Sequence, residues 1–75
     1  MLAFGVPGKV KEGPLKGWWI KIQECETPKG FLVSRARNVE MDQTLVLDGI
    51  FPTREALEAF LAQQAPTIDW NQGTA

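Results

Sequence analysis

Two spacings of hydrophobic residues divide this chain. Between Gly17 and Asp48 apolar residues recur mostly at every second position, whereas Leu57, Phe60 and Leu61 recur at three and four. Alternation of that kind predicts half-buried strands, and the longer spacing predicts a helix. Gly17–Glu24 is the clearest strand, with Trp18, Ile20 and Ile22 on one face and Trp19, Lys21 and Gln23 on the other. Residues 24–30 contain Pro28 and Gly30 and read as a hairpin loop. Phe31–Arg37 is a second strand with Phe31 and Val33 towards the core. That parity also carries Arg35 and Arg37, so either a twist or bulge near Ser34 turns the arginines outward or they lie near the sheet's edge. After a polar connection over residues 38–43, Thr44–Asp48 predicts a third strand. Leu45 and Leu47 are expected inward, with Thr44, Val46 and Asp48 outward, and Gly49 ends the strand.

The helix is the best-marked element. Thr53 precedes the periodic run and offers a side-chain oxygen to a backbone N–H of the first turn. Glu55 suits the positive end of the helix dipole. Ala56 stands where a capping box would need Glu or Gln. Pro66 disfavours helix at Ala65, which closes a run of about three turns. Phe51 is placed to pack over the first turn, and Ile68 and Trp70 are expected to fold back over the helix end, with residues 71–75 frayed.

Residues 1–16 are punctuated by Gly5, Pro7, Gly8, Gly13 and Pro14. Leu2, Phe4 and Val6 alternate and fit either a short edge strand or a flexible arm. The expected organisation is therefore an arm (1–16), a βββα domain (17–66) and a tail (67–75). Its fold class is α+β: three antiparallel strands, or four with the arm, and one helix packed on one face. The opposite face then carries Trp19, Lys21 and Gln23, with Arg35 and Arg37 if they turn outward, and is the expected working surface.

Seventy-five residues make one domain, near the lower limit for a core that holds without cross-links. A single cysteine forms no internal disulfide, and a reducing, cytoplasmic setting is the simplest expectation. No apolar run approaches the length of a membrane span. The net charge of −1 hides an asymmetry: residues 1–37 hold seven Lys/Arg against three acids, and residues 38–75 hold one arginine against six acids. Such polarity steers charged partners without net charge.

Catalytic chemistry finds little support. There is no histidine, and Cys25 lies between Glu24 and Glu26 in surroundings that do not activate a thiol. Glu40 and Asp42 are two carboxylates at loop spacing, too few ligands for a calcium site, so neither metal nor cofactor is expected. Strands followed by a capped helix, with Trp19-Ile-Lys21 near the start and Phe51-Pro-Thr-Arg-Glu-Ala-Leu-Glu-Ala-Phe60 at the helix, cover residues 17–64. In outline this resembles the plant ethylene-response-type DNA-binding domains and the arm-binding domains of phage integrases. That resemblance implies a sheet laid in the major groove, with Trp19, Lys21, Arg35 and Arg37 touching bases and phosphates. The chain carries few strand arginines and has a pI near 5.3, which weakens the phosphate attraction that dominates such binding. In size and layout it also resembles small phage- or plasmid-encoded inhibitors, including certain anti-CRISPR proteins. The leading expectation is a non-catalytic module that occupies a surface on a larger protein, as an inhibitor or regulator. It would use the Trp19 face or, against a basic partner, an acidic surface of Asp48, Glu55 and Glu58. A monomer and a dimer paired through an edge strand are both compatible with the pattern.

Overall fold

A computed structural model describes residues 2–71. Five strands and one helix follow in the order β1 (Gly8–Glu12), β2 (Trp19–Glu26), β3 (Lys29–Ala36), β4 (Val46–Phe51), α1 (Arg54–Gln64) and β5 (Thr67–Asp69). The strands form one antiparallel sheet in the order β4-β3-β2-β1-β5. The α+β class is as the hydrophobic pattern predicts, with five strands rather than three or four. The strand within residues 1–16 falls at Gly8–Glu12, downstream of the Leu2, Phe4 and Val6 alternation, and it lies inside the sheet between β2 and β5. Part of the expected tail is strand β5; of residues 71–75, where fraying was expected, Asn71 donates its N–H to Asp69 Oδ1 at 3.0 Å, and 72–75 lie outside the described residues.

β2 and β3 make the longest pairing, from Trp19 opposite Ala36 to Glu26 opposite Lys29, closed by the short turn Thr27–Pro28. Residues directly opposite share a face. Ile20 and Ile22 are therefore level with Arg35 and Val33 on the helix side, and Trp19, Lys21 and Gln23 are level with Ala36, Ser34 and Leu32 on the outer side. The core consists of Val10, Ile20, Ile22 and Val33 from the sheet, Leu57, Leu61 and Ala65 at the helix, and Leu15 from the β1–β2 connection.

The helix begins as its residues dictate. Thr53 is extended and its Oγ1 accepts from the Ala56 N–H at 3.1 Å. Leu57 and Leu61 are buried and Phe60 packs on Phe51 with ring centroids 4.9 Å apart. At the other end Ala65 N–H still donates to Leu61, and the Gln64 carbonyl accepts from the Leu15 N–H at 3.0 Å. The helix thus leaves the β4 edge and reaches the β1–β2 connection. The chain then enters β5 on the far edge, parallel in sense to β4.

One strand faces opposite to expectation. Leu45 and Leu47 are 54% and 65% exposed, and it is Val46 that stands opposite Arg35 on the helix side. Register is the cause, because the pairing Ser34 with Leu47 puts Leu47 level with Lys21 on the outer face. Between Leu47 and Gly49 the register shifts, and Asp48 is an extra residue whose carboxylate turns to the helix side. This bulge restores Phe51 to the inner face and puts Ile50 on the outer one. Gly49, at φ 130°, supplies the left-handed backbone that the bulge needs.

Candidate functional site

The helix covers one face of the sheet and leaves the other open. On that open face the rows can be read from the pairing. Lys9 stands beside Trp19, which stands beside Ala36; Lys21 beside Ser34 and Leu47; Gln23 beside Leu32 and Ile50. The Lys9 ammonium lies 5.2 Å from the centroid of the Trp19 ring, a contact that holds the indole against the sheet. Ser34 and Ala36 are buried although they belong to this face. Their short side chains lie between the longer Trp19 and Lys21 on β2 and Leu47 on β4. The surface is therefore mixed: an aromatic ring and two lysines towards β1, and apolar Leu32, Leu47 and Ile50 towards the β4 edge.

Trp19, Lys21 and Gln23 are thus together on the open face. Arg35 and Arg37 are not with them. No bulge at Ser34 turns β3, so both arginines keep the parity of Val33 and lie on the helix side, where they meet Trp18. The Arg37 guanidinium carbon is 3.8 Å from the Trp18 centroid and that of Arg35 4.9 Å. A tryptophan expected simply in the core therefore supports two cations at the end of the helix-side face.

Arg35 also pairs with Asp48 at 2.8 Å, with the Asp48 side chain 9% exposed. Burial raises the Asp48 pKa and Arg35 acts to lower it, with burial the larger influence. Among the described residues Arg35 Nε and Asp48 Oδ2 have no hydrogen-bond partner, so the pair is incompletely satisfied there. Asp48 is consequently part of an internal ion pair on the helix side, where the strand pattern had it outward. Glu58 pairs with Arg54 at 3.2 Å, both more than half exposed, and Glu55 is exposed in the first turn. Asp48 does not form a common exposed acidic surface with these two.

In the β3–β4 loop the polar side chains bond to one another. Asn38 Nδ2 donates to Glu40 at 2.9 Å and to Asp42 at 2.6 Å, and its Oδ1 accepts from the backbone of Asp42 and Gln43. That network closes the β3–β4 loop. Among the described residues no three His, Cys, Asp or Glu side chains converge as metal ligands. A cleft of about 260 Å³ lies between the helix and β5, walled by Leu2, Leu61, Ile68 and Trp70, with Glu58 the one charged side chain among its described lining residues. Among the described residues no helix is long and apolar enough to cross a membrane.

What sequence reasoning missed on the open face is Leu47 and Ile50. Only the bulge puts both there, and its one signal is the Asp48-Gly49 dipeptide in a strand-like run. The fold and this face define a small two-layer α+β domain with one face of its sheet uncovered. No protein-family model, no curated protein and no solved structure matches the chain.

Proposed function

We propose that this chain is a non-catalytic protein-binding module, which acts as a regulator or inhibitor by laying the open face of its sheet on a larger protein. The observation that carries the reading is the combination of Leu47 and Ile50, 65% and 43% exposed, with Trp19 and Lys21 on one face. Covering what is still exposed of these two side chains contributes, for each, roughly half of the 1.5–3 kcal/mol that full burial of a Leu or Ile gives, before the costs of association. Aromatic residues anchor interfaces most often. Lys9, Lys21 and Gln23 add the polar groups that set orientation. A reducing, cytoplasmic setting suits the unpaired Cys25, whose thiol lies 4.0 Å from the Gln23 carbonyl.

A protein partner is favoured over nucleic acid because the arginines are elsewhere. A sheet lying in a DNA groove would present Lys9, Lys21 and Trp19 but neither Arg35 nor Arg37, and Asp48 already offsets the charge of Arg35. The test is affinity capture from native lysate with the wild-type chain and with Trp19→Ala, Lys21→Ala and Glu55→Ala. The expected result is a stoichiometric protein that survives nuclease and added salt, is lost with Trp19→Ala, weakens with Lys21→Ala and is retained with Glu55→Ala. Retention that is indifferent to Trp19, or that disappears with nuclease, would overturn the reading.

A further inference from the structure

The two edges of the sheet differ. β5 is three residues long, with Asp69 in it. β4 is six residues long, and its only ionisable side chain, Asp48, is turned inward to Arg35. Edge strands are usually guarded by charge, proline or brevity. β4 is neither short nor broken by proline, and it shows no outward charge. Its guards are the bulge at Asp48 and the inward Asp48 itself, which turn away an ordinary alternating strand. Beside its edge backbone it exposes Leu47 and Ile50.

The bulge bears on what can pair there. Along Val46-Leu47-Asp48-Gly49-Ile50-Phe51 the side chains or Cα positions face helix side, outer, helix side, helix side, outer, helix side. A regularly alternating strand of six does not read the same in both directions, but this one does, about the midpoint of Asp48 and Gly49. An antiparallel copy centred on that midpoint would set Leu47 beside Ile50 of the second copy and Val46 beside Phe51, each on its matching face. Asp48 would lie opposite Gly49, which has no side chain to crowd it. A two-fold interface requires this kind of self-complementarity.

We propose that the β4 edge pairs with β4 of a second copy of this chain, antiparallel and centred between Asp48 and Gly49, to make one continuous ten-stranded sheet. The pairing meets no like-charge repulsion, since each Asp48 is held by its own Arg35 at 2.8 Å. Both helices would then lie on one side of the joined sheet, and both Trp19 positions would lie on the other, two strands in from the junction. The pairing does not depend on a larger partner, and Trp19 is not part of it.

Sedimentation velocity over a range of concentrations tests the proposal. The wild-type chain and Trp19→Ala are expected to sediment as dimers, and Leu47→Lys and Ile50→Lys, which place charge beside the apolar neighbour of the second copy, as monomers. Leu47 and Ile50 are exposed, so circular dichroism is expected to show both lysine variants folded. Register is read separately in a Cys25→Ser background. A mixture of Leu47→Cys and Ile50→Cys chains is expected to form the mixed disulfide in preference to either homodisulfide. A wild-type monomer throughout the range, a dimer unaffected by either lysine variant, or disulfides formed without preference for the mixed pair would overturn it.

Discussion

Asp48 is the residue at which burial and charge oppose each other most directly. Its carboxylate meets Arg35, yet among the described residues one oxygen and the Arg35 Nε have no hydrogen-bond partner, and burial outweighs the attraction. Its pKa in the fold therefore lies above the ordinary value near 3.8. A carboxyl with a raised pKa makes the folded chain bind more protons than the unfolded one between the two values. Its stabilising contribution is complete below the unfolded-chain pKa and is lost as pH rises through the folded one. Urea unfolding of the wild type and Asp48→Asn, compared between pH 7 and pH 4, tests this. The wild type should gain stability relative to the variant as the solution is made more acidic. A difference that grew towards neutral pH instead would mean that attraction to Arg35 outweighs burial. None of this was legible in the sequence. Arg35 and Asp48 are thirteen positions apart, and a one-residue bulge decides that they meet.

At the scale of elements the helix and the two central strands were legible, because each carries its instructions locally. Thr53, the stripe Leu57–Phe60–Leu61 and Pro66 bound the helix without reference to anything else in the chain. The cap and the stripe differ in weight. Thr53→Ala should cost about 1 kcal/mol, the usual worth of a side-chain cap. Leu57→Ala removes a fully buried side chain and should cost about 2–5 kcal/mol. Chemical denaturation of both variants checks the order, and equal losses would mean that Leu57 is not the main anchor of the helix. β4 was misread for a definite reason. The alternation of Leu45 and Leu47 marks a strand but not which of its faces is inward, and with the strand ended at Gly49 the pairing of Phe51 does not enter. The sheet satisfies Phe51 and exposes Leu47 by spending one residue, Asp48, on a bulge. The open face around Trp19, Lys21 and Gln23 was legible from β2 alone, and its apolar half was not.

For the whole molecule, β1 and β5 had no strong signal of their own. Gly8–Glu12 follows a run of Gly and Pro, and Thr67–Asp69 is three residues long; β1 is a strand because β2 and β5 pair with it on either side, and β5 because it pairs with β1. Their junction is tight. A β-carbon on Gly8 would come 2.5 Å from the Trp70 ring and 2.7 Å from Ile68. Gly8→Ala should therefore loosen β5, seen as faster amide exchange at Val10 and Ile68 while the β2–β3 amides keep their protection. Uniform acceleration across the sheet would show instead that the edge and centre open as one unit.

This pairing also bears on the order in which the fold assembles. β2 and β3 are neighbours joined by a two-residue turn, so their contacts close a short loop, whereas Glu12 and Thr67 meet across 55 positions. Loop-closure entropy makes such distant contacts late and slow. The central hairpin is thus the natural nucleus, and the docking of β5 on β1 the natural final step. Substitutions in β5 should accordingly speed unfolding and leave the folding rate nearly unchanged.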